Sequence, residues 1–339
     1  MMTRILIGDC RDVLRTLPAE SVHCVVTSPP YWGLRDYGVA GQIGLEATPE
    51  AFTAELVGVF RELRRVLRSD GTAWLNLGDS YSGSGKGGNP EGGKQATNKG
   101  SQTIGTLYGK IGETARQAAV TNVSRRLTTE LGYAPKQLMG IPWRVALALQ
   151  ADGWWLRSDI IWHKLNPMPE SVTDRPTRSH EHIFLLTRSE RYFYDSAAIK
   201  EPLDRPGEGE RQTPAKFGGA QKHIEAGKQS RLHSGNEYLG TDDGKRNKRD
   251  VWSIAAQPFT EAHFATFPPA LIEPCIKAGA PAGGTVLDPF AGAGTTGMVA
   301  DRLGRNAILI ELNPEYANMA GRRVNADGGM FANAEVTHA

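Results

Sequence analysis

Short apolar runs and stretches of helical periodicity alternate along the N-terminal part of the chain. Three runs have the length and residue types of buried strands: RILIG (4–8), VHCVVT (22–27) and GTAWLNLGD (71–79). Between them, residues 10–18 and 49–68 place apolar side chains three and four positions apart, which is typical of amphipathic helices. This β-α-β-α-β order predicts an α/β fold with a mostly parallel sheet.

The same pattern returns twice further along, in residues 137–195 and again from residue 258. Pro142 in the first turn of one predicted helix and Gly153 past its end mark the boundaries of that helix. The elements predicted in these two regions are helices at 140–153, at 269–279 and from about Thr295, and strands at 156–164, 180–189, 285–288 and 307–312.

Two polar segments separate these regions. Residues 82–136 are rich in Gly, Ser, Asn and Lys and carry eight basic against three acidic residues. They are interpreted either as a solvated loop or insertion or as a loop that closes on a polyanion. Residues 196–257 have little periodicity and carry eleven basic against nine acidic residues, with one dense basic cluster, KRNKR (245–249).

Charge and cysteine usage narrow the class of protein only slightly. The 339 residues carry a formal net charge of +2, and the three cysteines form no CxxC pair. That spacing argues against a disulfide framework and against a structural zinc site, and no metal is expected. No apolar run approaches the roughly 18 residues of a membrane span, and no signal peptide is recognisable, so a cytoplasmic location is expected.

A glycine-rich turn follows the predicted strand at 285–288, in the stretch TVLDPFAGAGTTGMVADRLGRNAILIEL. Gly292 and Gly294 allow a ligand close to the backbone, and Glu311, at the end of the next strand, can accept both hydrogen bonds of a ribose diol. Gly292, Gly294 and Gly297 also fit GxGxxG, which leaves a nicotinamide cofactor or an ordinary strand–helix connection as alternatives. Asp288 would repel a pyrophosphate, so the cationic S-adenosylmethionine is favoured.

The strands around this glycine-rich turn need further strands to complete their sheet. Only 28 residues follow Glu311, which are too few to supply them, so they must come from earlier in the chain. The N-terminal strand RILIGD can supply one, in a sheet whose reactive half precedes its cofactor half along the sequence. Asp9 would then lie near the turn of Gly292 and accept a hydrogen bond from an adenine amino group. A helix cap for the residues that follow is an equally weighted interpretation of Asp9.

The second notable stretch is TSPPYW (27–32), where a buried strand ends in two prolines and two large aromatic residues. Pro29 and Pro30 lock their φ angles and cannot donate backbone hydrogen bonds, so the corner is rigid. A rigid turn that merely packs Tyr31 and Trp32 is the structural alternative.

Together, TSPPYW and DPFAGAGTTG resemble the motifs of the amino-group DNA methyltransferases, which modify cytosine N4 or adenine N6. The catalytic motif comes first and the cofactor motif last, which is similar to the β-class order. The resemblance covers residues 1–80, 137–195 and 258–320. It implies a Rossmann-like, S-adenosylmethionine-dependent methyltransferase sheet with permuted motif order, plus inserted loop and target-recognition regions.

The resemblance also implies a division of the chain. Its segments are the catalytic half (1–81), an insertion (82–136), the continued methyltransferase domain (137–195), a target-recognition region (196–257), the cofactor half (258–325) and a tail (326–339).

The roles of the site residues follow from the same resemblance. The Ser28 hydroxyl and the Pro29 carbonyl accept hydrogen bonds from the target amino group, Pro30 keeps the corner rigid, and a flipped base stacks on Tyr31. Trp162 or His163 could contact the other face of the base, but strand alternation points only one of them inward. A tryptophan of the core and a histidine with its hydrogen bonds satisfied within the protein are the alternative interpretations, and they carry at least equal weight. The residues expected to bind the cofactor are Asp9, Cys10, Thr266, Phe267, Asp288, Phe290, Gly292, Gly294, Thr295 and Glu311.

Serine at the first motif position favours cytosine N4 over adenine N6, because Asp or Asn stands there in most adenine enzymes. Carbon-5 methylation would need a cysteine nucleophile, but Cys275 falls within a predicted helix and is interpreted as a core residue. The expected partner is double-stranded DNA, with a homodimer and a cognate restriction endonuclease left open. The rival functions are a nicotinamide oxidoreductase and a catalytically inactive DNA-binding protein.

Overall fold

The computed structural model of the chain describes residues 1–34, 37–82, 131–202, 244–257, 267–329 and 333–338. These residues belong to two compact units. The larger unit consists of Met1–Asp195 together with Asp250–Ala339, and the smaller unit is Ser196–Arg249. In the smaller unit, the described residues form a short 3-10 turn, Ala197–Ile199, and an antiparallel pair of two-residue strands, β6 (Glu201–Pro202) and β7 (Lys245–Arg246).

The larger unit contains a nine-stranded sheet and six described helices. Its strands are β1 (Met2–Ile7), β2 (Val22–Thr27), β3 (Leu67–Leu77), β4 (Trp155–Lys164), β5 (His180–Thr187), β8 (Val251–Ile254), β9 (Thr285–Asp288), β10 (Asn306–Glu311) and β11 (Asn333–His338). Its helices are α1 (Cys10–Thr16), α2 (Pro49–Val66), α3 (Ile141–Ala151), α4 (Pro269–Gly279), α5 (Thr295–Arg302) and α6 (Pro314–Gly328).

The sheet order is β11-β1-β10-β9-β2-β3-β5-β4-β8. Strand β5 runs antiparallel to both β3 and β4, and the other pairings in this sheet are parallel. The carboxyl ends of all strands except β5 therefore lie at one edge of the sheet. In a parallel sheet this is the edge where ligands bind.

The helices form where apolar periodicity and capping residues coincide. Helix α2 begins after Thr48, whose hydroxyl accepts a hydrogen bond from the N–H of Ala51, and it buries Phe52, Leu56 and Phe60 against the sheet core. Asp79, just after β3, accepts hydrogen bonds from the first N–H groups of α3. Both interactions satisfy donors that the first turn of a helix leaves unpaired.

The permuted arrangement predicted from the sequence is confirmed. Strand β1 lies beside β10, with Ile7 opposite Glu311, and β2 lies beside β9, with Cys24 opposite Val286. Strands from the two ends of the chain therefore complete one Rossmann-like sheet. The predicted strand at 22–27 has the same bounds in the structure, whereas β3 begins four residues earlier than expected, at Leu67.

Two features differ from the sequence expectations. Residues 326–339 were expected to be a tail, but α6 continues to Gly328 and β11 pairs with β1 over six residues. The alternating burial of β11 exposes one side of an edge strand, so its apolar signal is too weak to predict it. The antiparallel direction of β5 was not predicted either, since strand direction is not encoded in the periodicity of a single strand.

The polar segments lie mostly outside the described residues, and their roles stay predictions. The residues that flank the first of them meet in a short bridge between Tyr81 and Leu138, and Ser82 and Gln137 also share a backbone hydrogen bond of 2.8 Å. Among the described residues, no helix is long and apolar enough to cross a membrane.

Candidate active site

The two motifs singled out in the sequence lie side by side at the carboxyl edge of the sheet. Ser28 follows β2 and the turn at Phe290–Gly294 follows β9, which is the neighbour of β2. The hydroxyl of Thr27 donates a hydrogen bond of 2.7 Å to Oδ1 of Asp288, so the last residues of the two strands are linked directly.

Asp288 is a buried carboxylate that accepts hydrogen bonds from three described donors. It is only 1% exposed. Besides the Thr27 hydroxyl, Oδ1 accepts a hydrogen bond of 3.1 Å from the N–H of Phe290, and Oδ2 accepts one of 2.6 Å from the hydroxyl of Thr296 in α5. Burial raises the pKa of Asp288 to about 6, and these three hydrogen bonds act against that shift. Asp288 therefore links this turn to the end of β2 and to the first residues of α5.

The two glycines of the turn, Gly292 and Gly294, and Gly297 in the following helix α5 have different surroundings. A Cβ at Gly292, where φ is +51°, would meet nothing within 4 Å, so open space lies in front of this backbone. A Cβ at Gly294 would lie 2.7 Å from Cβ of Ala320 in α6, and one at Gly297 would lie 2.7 Å from Cδ1 of Leu309. Gly294 and Gly297 thus allow close helix packing, whereas Gly292 leaves room for a ligand.

Glu311 ends β10 beside this turn. Its Oε2 accepts a hydrogen bond of 2.8 Å from the N–H of Gly292, and its Oε1 accepts one of 2.9 Å from the N–H of Asn313. Burial raises the pKa of Glu311, and the two backbone hydrogen bonds oppose this effect. A carboxylate oxygen can accept two hydrogen bonds, so each oxygen of Glu311 keeps capacity for one hydroxyl of a diol.

Asp9 lies at the same edge, because β1 is paired with β10 and the N–H of Gly8 donates to the carbonyl of Glu311. Its Oδ1 caps α1 by accepting a hydrogen bond of 2.9 Å from the N–H of Arg11, and its carboxylate is also paired with the Arg11 guanidinium. Hydrogen bonds with Arg11 hold the pKa of Asp9 below its usual value despite the opposing desolvation. The structure thus shows the helix-cap role, and the contact with adenine stays a prediction.

The remaining residues expected to bind the cofactor differ in their burial and in their contacts within the protein. Cys10 is buried in the hydrophobic core, and burial raises the pKa of its thiol to about 12. The hydroxyl of Thr295 accepts a hydrogen bond of 2.8 Å from the guanidinium of Arg323 in α6, so this side chain binds α6. Phe290 packs against the core next to the turn, Phe267 precedes α4, and Thr266 lies outside the described residues.

The proline corner is held in place by its aromatic residue Trp32. Trp32 is 2% exposed, and its indole N–H donates a hydrogen bond of 3.0 Å to the carbonyl of Glu46. The N–H of Gly33 donates to the carbonyl of Gly44, and a Cβ at Gly44 would lie 3.1 Å from Cβ of Pro30. Pro29 is buried and Ser28 is partly exposed, so the corner presents the serine from a rigid base.

Tyr31 lies deeper in the corner than the sequence suggested. Its ring packs against the backbone after β3, where a Cβ at Gly78 would lie 2.6 Å from Cε2 of Tyr31. Its hydroxyl is 2.6 Å from Oε2 of Glu181, 3.1 Å from Oδ1 of Asn76 and 3.4 Å from Oγ of Ser28. Burial and the neighbouring Glu181 raise the pKa of Tyr31 well above its usual value, so the phenol keeps its proton.

Three residues of this cluster were missed by the sequence analysis: Asn76 in β3, Glu181 in β5 and Lys164 at the end of β4. Lys164 forms an ion pair with Oε1 of Glu181, and its ammonium lies 4.6 Å from the ring centre of Trp162. Glu181 is paired with Trp162 across β4 and β5. Glu181 lies in the stretch SHEHIF, within the part of the chain that resembles the amino-group DNA methyltransferases, and this position was the one sequence feature that could have indicated it. Its contact with Tyr31 depends on the pairing of the strands, which the sequence does not show.

The choice between Trp162 and His163 stays open. Trp162 is buried, and its indole donates a hydrogen bond of 2.9 Å to the carbonyl of Ile254, while Nδ1 of His163 lies 3.0 Å from the hydroxyl of Ser253. Cys275 is 1% exposed within α4, and its thiol donates to the carbonyl of Leu271, as expected for a core residue. The described part of the chain holds no group of three or more His, Cys, Asp or Glu residues suited to a metal ion.

The mostly parallel sheet with permuted strands places three features side by side, as expected for an amino-group methyltransferase: a glycine turn, an acidic strand end and a serine–proline–aromatic corner. A family model for DNA methylases of the N6 and N4 type matches residues 22–322. The chain belongs to this DNA methylase family. The family is S-adenosylmethionine-dependent, so the expected cofactor and the amino-group chemistry are confirmed and an oxidoreductase is excluded.

Named relatives match almost the whole chain. Type II methyltransferase M.XycI from Xanthomonas campestris pv. cyanopsidis is 46% identical over 317 residues, which are 94% of this chain and 86% of that protein. Type II methyltransferase M.SmaI from Serratia marcescens is 43% identical over 321 residues, which are 95% of this chain and 90% of that protein.

Solved structures share the fold. A putative DNA modification methylase from Thermus thermophilus, complexed with S-adenosyl-L-methionine, superposes with a TM-score of 0.56 at 25% identity, covering 99% of this chain and 100% of that one. The PvuII DNA methyltransferase, named as cytosine-N4-specific, gives a TM-score of 0.59 at 17% identity and covers 95% of this chain and 86% of that one. The second likeness supports the fold alone.

Proposed function

We propose that this DNA methyltransferase transfers the methyl group to the N4 atom of cytosine in duplex DNA, as a type II, site-specific enzyme. The observation that carries the proposal is the position of Ser28. Its partly exposed hydroxyl stands at the end of β2, one residue after Thr27, which is hydrogen-bonded to the cofactor turn through Asp288. A neutral hydroxyl acceptor thus adjoins the site proposed for the methyl donor.

The corner suits the weak nucleophilicity of an exocyclic amino group, whose lone pair is delocalised into the ring. Acceptors on its two hydrogens localise that lone pair and aim it at the methyl carbon. We assign these acceptors to Oγ of Ser28 and the carbonyl oxygen of Pro29. Because Pro29 and Pro30 fix the backbone and Trp32 is locked in the core, neither oxygen needs to reorganise during the reaction.

The residues around the glycine turn fit S-adenosylmethionine. When bound, this cofactor supplies an electrophilic methyl carbon on a sulfonium centre. Glu311 retains acceptor capacity for the ribose diol, the space in front of Gly292 admits the ligand, and the negative charge of Asp288 favours a cationic one. We assign the further contacts to Asp9, Thr266, Phe267 and Phe290. The backbone, rather than a side chain, is assigned the contacts at Cys10, Gly294 and Thr295.

The target base must leave the duplex to reach Ser28, which requires unstacking that amounts to a few kcal/mol. We propose that the flipped base stacks on Tyr31, whose ring is held against the backbone at Gly78. Sequence readout is assigned to residues 196–257, where the basic cluster at 245–249 can contact phosphates. A homodimer, a cognate restriction endonuclease and a cytoplasmic location remain predictions from the sequence.

The test is a product analysis. The purified protein is incubated with mixed-sequence duplex DNA and methyl-deuterated S-adenosylmethionine, the DNA is digested to nucleosides, and the labelled product is identified by mass spectrometry. Labelled N4-methylcytosine is the expected product. Labelled N6-methyladenine would overturn the assignment based on Ser28 and leave the alternative function, adenine methylation. A Ser28→Ala variant run in parallel is expected to lose most of the label.

A further inference from the structure

A continuous chain of polar contacts runs from the catalytic corner into the sheet. Oγ of Ser28 lies 3.4 Å from the Tyr31 hydroxyl, which lies 2.6 Å from Oε2 of Glu181, and Oε1 of Glu181 is paired with Lys164. The side chain of Glu181 is only 12% exposed and that of Lys164 is 24% exposed. Both charged groups of this partly buried ion pair have lost much of their hydration, and Glu181 is also joined to a tyrosine, so we ask what this arrangement does.

The direction of these hydrogen bonds is fixed by Asn76. Its side-chain nitrogen donates to the carbonyl of His182 at 3.1 Å and to Oε2 of Glu181 at 3.2 Å, and both of those atoms can only accept. The amide oxygen of Asn76 therefore faces Tyr31, 3.1 Å from its hydroxyl. Tyr31 is thus surrounded by two acceptors, Oδ1 of Asn76 and the carboxylate of Glu181.

This arrangement determines what Ser28 can do. The single proton of the Tyr31 hydroxyl is directed to Glu181 or Asn76, so the Tyr31 oxygen accepts and the Ser28 hydroxyl donates to it. A serine hydroxyl has one proton and two lone pairs. With its proton directed toward Tyr31, the Ser28 oxygen presents only lone pairs to the target amino group, which is the role that amino-group activation requires.

We propose that Glu181, oriented by Lys164, is a positioning residue that sets the donor–acceptor direction of the Tyr31–Ser28 pair. It acts through Tyr31 and does not touch the substrate. The inference rests on the proposed function of Ser28 as an acceptor, and it holds for either amino-group product. The proposal gives Glu181 a role in the reaction, whereas folding alone does not require a charged side chain at this position.

Lys164 makes the substitution Glu181→Gln informative. The Lys164 ammonium requires an acceptor, so the amide oxygen of the glutamine is expected to take the place of Oε1. The amide nitrogen then faces both the Tyr31 hydroxyl and the Asn76 nitrogen, which loses its acceptor at this position. It donates to the Tyr31 oxygen and competes there with the donation from Ser28. The Ser28 proton is released toward the target amino group, although the size of the side chain is unchanged.

The test compares single-turnover methylation rates of wild type and E181Q, with S-adenosylmethionine affinity and DNA KM measured alongside. We expect the rate to fall at least about tenfold, with the cofactor Kd and the DNA KM within about twofold of wild type. Glu62→Gln removes a carboxylate that pairs with Arg65 on α2, away from the site, and is the matched control with an unchanged rate. An unchanged rate in E181Q would overturn the proposal.

A double-mutant cycle separates positioning from a general structural effect. In a Tyr31→Phe background the relay through the hydroxyl is absent, so adding Glu181→Gln is expected to change the remaining rate by less than about twofold. An equal loss in both backgrounds would show that Glu181 acts otherwise and would overturn the proposal. The product of the wild-type enzyme is identified first, so a failure of the N4 assignment is distinguished from a failure of this inference.

Discussion

The hydroxyl of Thr27 donates a hydrogen bond of 2.7 Å to the carboxylate of Asp288, although 261 positions separate the two residues in the sequence. Thr27 ends the strand that leads to the proposed catalytic corner, and Asp288 ends the strand that leads to the proposed cofactor turn. Both side chains are 1% exposed. This contact therefore links the two halves of the site from within the sheet, in addition to the backbone pairing of β2 with β9.

Removing the Thr27 hydroxyl should weaken that link. Thr27→Val keeps the shape of the side chain but leaves Oδ1 of Asp288 with one fewer donor. We expect a loss of about 1–3 kcal/mol in unfolding free energy, measured by urea denaturation. Thr53→Val is the control, because the Thr53 hydroxyl only donates to the carbonyl of Pro49 within α2 and its loss should change stability by less than about 0.5 kcal/mol. Equal effects of the two variants would contradict the prediction.

The raised pKa of Asp288 predicts an unusual pH dependence. Burial raises it from 3.8 to about 6, so between these values the folded protein keeps a proton that the unfolded chain has released. Stability therefore falls as pH rises through this window, by about 3 kcal/mol for this group, and the loss is complete above pH 6.

Asp288→Asn tests this dependence, since its amide can still accept from Thr27 and Phe290 and donate to Thr296. Relative to wild type, the variant should gain stability between about pH 4 and pH 7, as measured by denaturation at each pH. A stability difference between variant and wild type that stays constant across this range would show that Asp288 ionises normally.

The contact between Gly78 and Tyr31 predicts a defect in catalysis without loss of cofactor binding. A methyl group at position 78 would lie 2.6 Å from Cε2 of Tyr31, so Gly78→Ala must displace the ring. We expect turnover to fall at least about tenfold, with S-adenosylmethionine Kd nearly unchanged by calorimetry.

Gly58→Ala is the matched control for this substitution. A Cβ at Gly58, on the exposed side of α2, meets nothing within 4 Å. This variant should keep full turnover and gain up to about 1 kcal/mol of stability, because alanine favours a helix interior. Wild-type turnover in Gly78→Ala would mean that the position of Tyr31 does not limit the reaction.

Glu311 should control cofactor affinity. In Glu311→Gln the amide nitrogen must face the N–H of Gly292 or of Asn313, and the side chain loses the charge that strengthens hydrogen bonds from a diol. We expect S-adenosylmethionine to bind at least about tenfold more weakly in calorimetry. Glu315→Gln, on an exposed residue in the first turn of α6, should bind normally. Similar affinities in the two variants would remove Glu311 from the ribose site.

Much of the fold followed from the sequence, because its signals are local. The run VHCVVT predicted β2 with its correct bounds, and the need for more strands beside β10 predicted the pairing with β1. Strand β11 was missed, since NAEVTH has few apolar residues, and an edge strand is held by backbone hydrogen bonds more than by burial.

The site was predictable only where one short motif contains it. Ser28 to Tyr31 and Asp288 to Gly294 are each contiguous, and their residue types point to their chemistry. Glu181 is separated from Tyr31 by 150 positions, and its contact depends on β5 pairing antiparallel between β3 and β4. The sequence points to Trp162 and His163 as candidates on β4, whereas Lys164, the next residue, forms the ion pair with Glu181.

The place of β1 between β10 and β11 has a consequence for how the protein is made. On the ribosome, β1 emerges about 300 residues before its first partner, which takes tens of seconds at roughly 5–20 residues per second. Throughout that time both hydrogen-bonding edges of an apolar strand stay open to other nascent chains. Cells that produce this enzyme rapidly should therefore depend on chaperones that bind the N-terminal segment, and the yield of folded protein should rise when translation of the distal part is accelerated.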